Sequence, residues 1–186
     1  MRATEALKEE HRIIEKVLQV LEVSARRLET GERVDPGIFE GALDFLKNFA
    51  DRCHHYKEEE VLFPALEAKG LPREGGPTGV MLHEHEEGRG LIRAMGEALG
   101  GYQRGDGKAP RDLAQAAKRY AILLREHIPK ENDILYPIAD EALRMEDERL
   151  MERFERVEEE RMGEGAHERY HALVEELARK AGLEEE

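Results

Sequence analysis

Apolar residues recur along this chain at intervals of three and four, the spacing that lines one face of an α-helix. The first set is Leu7, His11, Ile14, Leu18 and Leu21. It predicts a helix from about Thr4 to Leu28, with the Thr4 oxygen suited to cap its start. TGERVDPG interrupts the pattern. Asp35 and Pro36 then open a second helix, with an acceptor at the cap and a ring that fixes φ in the first turn. Its inward set is Phe39, Leu43, Leu46, Ala50, His54, Glu58, Val61 or Leu62, and Ala65. KGLPREGGPTG is a loop, rich in glycine and proline. A third helix presents Met81, His85, Ile92, Met95 and Leu99. After a break from Gly100 to Pro110, a fourth presents Leu113, Tyr120, Leu123 or Leu124, His127, Glu131, Ile134 or Leu135, and Ile138.

Beyond Arg144 the chain becomes highly charged. Two shorter helices are expected at about 146–162 and 165–181, split by Gly163 and Gly165. The second carries an apolar stripe of Tyr170, Leu173, Val174 and Leu177. The expected architecture is all-α: an antiparallel four-helix bundle over 1–143 and a charged helical tail over 144–186. The tail stripe either docks on the bundle or meets a protein partner. The closing Glu184–Glu186 reads as a solvated acidic run.

Composition supports helices. Charged residues make up 38% of the 186 residues, aromatics 5%, and there is no Trp. Helix formers dominate, and a sheet has little β-branched sequence to build from. The net charge of -13 repels phosphate backbones and anionic membrane surfaces, so neither nucleic acid nor membrane is expected as a partner. No stretch approaches the roughly 20 apolar residues of a membrane span. The single Cys53 has no internal disulfide partner, and the N-terminus lacks an apolar signal core; both fit a reducing cytoplasm.

The second and fourth helices repeat one another. His54-x-x-x-Glu58 is followed by Val61-Leu62-Phe63-Pro64, and His127-x-x-x-Glu131 by Ile134-Leu135-Tyr136-Pro137. In both, the proline comes ten residues after the histidine. Each half of the chain thus reads as a duplicated helix pair with a pseudo-twofold relation.

This pattern carries chemistry. Residues four apart share a helix face, so His54 and Glu58 point into one interior, as do His127 and Glu131. His11 and His85 sit on the apolar stripes of their own helices. Six buried polar groups in one core would cost several kcal/mol each without partners. Two cations resolve the conflict, each taking two histidines, with both glutamates bridging. Imidazole with carboxylate suits iron, manganese or zinc. Bridging carboxylates with spare positions favour a redox pair over closed structural zinc. Two iron ions are expected, with manganese or a mixed Fe/Mn pair as alternatives and a solvent-derived oxo or hydroxo bridge.

CHHYKEEEVLFPAL, MLHEHEEGRGL and LLREHIPKENDILYP, with Glu10-His11 in LKEEHRII, resemble the hemerythrin-like family, the HHE cation-binding domain. The resemblance covers roughly residues 1–143. It implies a four-helix bundle with a non-haem di-iron centre, in a family of oxygen carriers, sensors of oxygen or nitric oxide, and proteins linked to repair of iron–sulfur centres. The oxygen carriers have His-x-x-x-His on the third helix and an aspartate ligand on the fourth. Here His85 is followed by Arg89, and the fourth helix offers Glu131. Four histidines and two glutamates resemble the repair-type branch more closely, and a centre oxidised by oxygen is expected rather than a reversible carrier.

Other residues compete for a role. His55 lies about 100° off the stripe, so His54 is the expected ligand. His83 should face out. Cys53 reads as a small core residue, and Tyr56 and Tyr136 as packing, with lining of the site behind the ligands as the alternative. His167 and His171 form a His-x-x-x-His pair in the tail, and His167 could fold over to give a fifth histidine. The expected function is a di-iron protein meeting oxygen, peroxide or nitric oxide in sensing or stress defence. The alternatives are an oxidase- or peroxidase-like enzyme, and iron handling for repair of iron centres.

Overall fold

The computed structural model of the chain describes residues 2–183. The acidic run Glu184–Glu186 lies outside them. Four long helices form the body: α1 (Ala3–Glu29), α2 spanning 36–68, α3 (Pro77–Gln103) and α4 spanning 109–142. Two shorter ones follow, α5 (Asp147–Arg161) and α6 (Ala166–Lys180). Among the described residues there is no strand, and no helix is long and apolar enough to cross a membrane. The fold is an all-α bundle.

Local chemistry sets the ends. Asp35 accepts a hydrogen bond from the Gly37 amide, and Pro36 takes the first turn of α2. α1 starts one residue before Thr4, with Arg2 at the cap and its amide bonded to Glu5. Thr4 is not the cap. It is buried, and its hydroxyl donates to Asp140 at the far end of α4. Gly163 and Gly165 both have left-handed φ, at 83° and 71°, which turns the chain between α5 and α6.

α2 and α4 are not uniformly α-helical. Leu46–His55, Glu58–Leu62 and Glu131–Leu135 are wound as wider π turns. The last two end where Pro64 and Pro137 follow. A proline lacks the amide that the carbonyl four residues back would accept, and its ring crowds that carbonyl. The turn widens instead: the Phe63 amide reaches the Glu58 carbonyl, and the Tyr136 amide the Glu131 carbonyl, both five residues back. The wider turn shifts the helix phase by one residue. Leu66, not Ala65, is fully buried in α2. In α4, Ala139 is buried, whereas Ile138 is 37% exposed.

The interior has three levels. One apolar cluster joins Ile14, Leu18, Phe45, Phe49, Met95, Leu113 and Leu124. A second joins Leu7, Phe63, Leu66, Met81, Leu135 and Phe154. Between them every long helix contributes buried polar side chains. α6 packs on α1 and α2 through the buried Val174 and Leu177, with Tyr170 and Leu173 half-buried at its rim. α5 buries Phe154 in the second cluster.

Candidate metal centre

His11 comes from α1, His54 and Glu58 from α2, His85 from α3, and His127 and Glu131 from α4. None of the six is more than 2% exposed. Their functional atoms converge. Nε2 of His11 lies 3.0 Å from Nε2 of His54, and Nε2 of His85 lies 3.1 Å from Nε2 of His127. The two carboxylates stand between these pairs. Glu131 Oε2 is 3.1 Å from His11, and its Oε1 is 3.1 Å from His127 and 3.6 Å from His85. Glu58 Oε2 is 3.4 Å from His85 and 3.7 Å from His54.

The outer face of each ring decides which nitrogen points inward with a lone pair. His11 Nδ1 faces the Asn132 side-chain oxygen at 2.8 Å, His54 Nδ1 faces Glu10 at 2.7 Å, and His85 Nδ1 faces Glu59 at 2.8 Å. Each oxygen is an acceptor, so Nδ1 carries the proton and Nε2 of a neutral ring is bare. His127 Nδ1 faces Glu84 at 3.8 Å, ion-pair range rather than a hydrogen bond. In the His11–His54 pair two bare Nε2 atoms then stand 3.0 Å apart and repel one another. The same spacing is what two imidazoles on one ion require: bonds of about 2.1 Å at a right angle put them about 3.0 Å apart.

The carboxylates give a second, independent sign. Glu58 Oε2 and both oxygens of Glu131 are buried without a hydrogen-bond partner, a costly arrangement for ionised groups. Burial and the neighbouring Glu131 push the Glu58 carboxyl well above the usual range. Burial also opposes ionisation of Glu131, but His127, His11 and His85 outweigh it and hold Glu131 low. Burial likewise works against charge on His127, which Glu131 and Glu84 lift to about 9. Burial thus opposes charge throughout this layer, and the attraction between Glu131 and the histidines only partly relieves it. These residues fit divalent cations.

The duplication extends outward. Glu10-His11 on α1 corresponds to Glu84-His85 on α3, and Lys57-Glu58-Glu59 on α2 to Lys130-Glu131-Asn132 on α4. In each half the lysine donates to the glutamate behind the histidine of the second helix. Lys57 bonds Glu10 behind His54, and Lys130 bonds Glu84 behind His127. Glu59 and Asn132 each cross to the histidine of the opposite half. These outer partners hold the rings in orientation. The repeated Glu-His and Lys-Glu dipeptides were the signal in the sequence that could have found them.

Tyr136 does more than pack: it lines the centre of the layer. Its buried hydroxyl donates to Glu58 Oε1 at 2.5 Å, and its ring stacks on His11. Tyr56 lies away from the layer, beneath the Arg161 guanidinium. His83 is exposed, and Cys53 is buried, its thiol pushed up to about 12 by burial. His167 does not join the converging nitrogens. Its Nε2 lies 3.4 Å from Glu10 and 3.5 Å from Glu158, one layer outside His54. His171 is exposed. His55, which regular helical spacing puts off the stripe, is buried, and one of its nitrogens lies within 4.8 Å of the ligand atoms of His85 and His127.

The sequence family described as Hemerythrin HHE cation binding domain matches residues 2–139. The chain belongs to this family. It is 25% identical over 182 residues to an uncharacterized protein of Mycobacterium tuberculosis, covering 97% of this chain and 71% of that one. It is 38% identical over 86 residues to the iron-sulfur cluster repair protein DnrN of Neisseria gonorrhoeae, covering 45% of this chain and 54% of that one. To the iron-sulfur cluster repair protein YtfE of Edwardsiella ictaluri it is 29% identical over 124 residues, covering 66% and 56%. The chain thus spans about half the length of these two repair proteins. No solved structure gives a significant match.

Proposed function

We propose that this protein holds two iron ions in the polar layer and uses them in the maintenance of iron–sulfur centres, where oxygen, peroxide and nitric oxide are the small molecules that reach it. The observation that carries this reading is the convergence of four Nε2 atoms on Glu58 and Glu131, three of whose buried oxygens have no partner. One ion would be held by His11 and His54, the other by His85 and His127, with Glu58 and Glu131 shared. Imidazole and carboxylate donors suit iron. Similarity to DnrN and YtfE, both named for iron–sulfur cluster repair, favours maintenance of iron centres over oxygen carriage.

Bound iron would supply redox chemistry and positions for small ligands. The chain's own residues do the rest. The Nδ1 partners fix the rings, the two apolar clusters exclude bulk water from the layer, and Tyr136 holds a proton on its hydroxyl beside Glu58 Oε1. Imidazole and carboxylate ligands bind cations only when deprotonated, so loading releases protons and weakens as pH falls.

The test is a transfer experiment. Iron-loaded protein is mixed anaerobically with a cluster-depleted iron–sulfur enzyme, with and without prior nitric oxide treatment. Recovery of that enzyme faster than with an equal amount of free ferrous iron supports the reading. Recovery no faster than with free iron rejects the maintenance role.

A further inference from the structure

His55 follows a predicted ligand in sequence, and on a regular α-helix it would point about 100° away from the site. The chain does not wind that way here. Leu46–His55 closes with i→i+5 hydrogen bonds, and each residue then advances by less than in an α-helix. His55 therefore stays inside, 4% exposed, its ring stacked on His85 with centroids 4.0 Å apart. It meets the His127 ring edge-on at 6.0 Å.

His55 also shares the orientation of the four converging histidines. Its Nδ1 faces an acceptor, Asp51 Oδ1 at 3.4 Å. Asp51 is fixed in turn by the Arg89 guanidinium, whose Nε donates to the same oxygen at 2.9 Å. Arg89 stands one turn after His85, and through Asp51 it backs a histidine on the neighbouring helix. With Nδ1 engaged there, Nε2 is the nitrogen left to bind.

We propose that His55 is a fifth histidine ligand, serving the ion held by His85 and His127. The two positions are then unequal: two imidazoles on the His11–His54 side and three on the His85–His127 side. The proposal rests on the two-ion reading above, and its observation is that the ligand atoms of His55, His85 and His127 lie within 4.8 Å of one another in a buried cluster. The bland alternative is that His55 only packs, its ring stacking on His85.

The experiment separates ligation from packing. His55→Phe keeps the aromatic stack and removes the nitrogen, while His55→Gln is smaller and polar. Full-length wild type and both variants are titrated anaerobically with Fe(II), and in parallel with Co(II), whose visible absorption reports coordination number. Circular dichroism checks the fold. The proposal expects both variants to keep one ion at wild-type affinity, to bind the other more than about 10-fold more weakly, since even an outer partner of a ligand is worth that much, and to show altered Co(II) absorption. Either variant binding both ions with wild-type affinity and spectrum overturns it, as does equal weakening of both ions. Wild type that binds fewer than two ions removes the two-ion reading itself, which is a different failure.

Discussion

Lys57 and Lys130 occupy equivalent places in the two halves of the bundle, each donating to the glutamate behind a converging histidine, yet one is sealed and the other is open. The Lys57 side chain is 1% exposed and bridges Glu10 and Glu158, whereas Lys130 is 39% exposed and meets Glu84 alone. The difference comes from α5 and α6, which cover one half only. Glu158 on α5 and His167 on α6 complete the first network and have no counterparts in the second.

This asymmetry predicts unequal costs. Lys57→Met leaves Glu10 buried without its cation and should destabilise the fold by roughly 3–5 kcal/mol. Lys130→Met removes a cation that is 39% exposed and already partly screened by solvent, and should cost clearly less than Lys57→Met. Urea unfolding of the two variants checks this; equal losses would mean that the cover formed by α5 and α6 does not insulate the network.

Tyr136→Phe removes only the hydroxyl that donates to Glu58 Oε1. The fold should survive, because the ring keeps its stack on His11. Iron affinity should fall by roughly 10–100-fold, the usual effect of losing the hydrogen bond behind a ligand. Competition against a chelator of known strength measures it.

His167 links α6 to the layer around the centre. The carboxylates of Glu10 and Glu158, 3.4 and 3.5 Å from its Nε2, outweigh burial and raise it from 6.5 to about 9. Lys57 stays charged beside the same carboxylates, and Glu10 and Glu158 remain ionised through this range. A raised histidine stabilises fully below its unfolded value and loses that contribution as pH climbs through the folded one. Stability should therefore decline from about pH 6.5 to about pH 9. His167→Gln should flatten the decline while the number of bound irons stays unchanged, as denaturant melts across that range and metal analysis would record.

The bundle could be read in the sequence because its helices obey the three-four spacing and end at glycine and proline. Leu7, Ile14, Leu18, Met95 and Leu113 lie where the pattern puts them. What escaped depends on distant partners or on a change of helix type. Thr4 reads as a cap until Asp140 is brought beside it by the fold. Counting 100° per residue misplaces His55, Ala65 and Ile138, because that count fails through the π turns. Lys57 looks like one of many surface lysines until Glu10 and Glu158 close around it.

Cys53 should be a bystander. Its thiol is buried, and burial pushes it up to about 12, so little thiolate forms near neutrality. Cys53→Ser should cost about 1–3 kcal/mol for burying a hydroxyl, yet leave iron loading and the oxygen reaction of the ferrous protein unchanged. In both proteins, degassing after oxygen exposure should fail to restore the ferrous spectrum. Loss of the oxygen reaction in Cys53→Ser would transfer the chemistry to the thiol.

The central claim is that Glu58 and Glu131 stand between two cation positions, and metal analysis tests it most directly. Protein loaded anaerobically with excess ferrous iron and then desalted should retain two irons per chain. Glu58→Ala and Glu131→Ala should each retain fewer, since each removes a group shared by both ions. A reproducible one or none in the unaltered protein, or two in both alanine variants, would contradict the account.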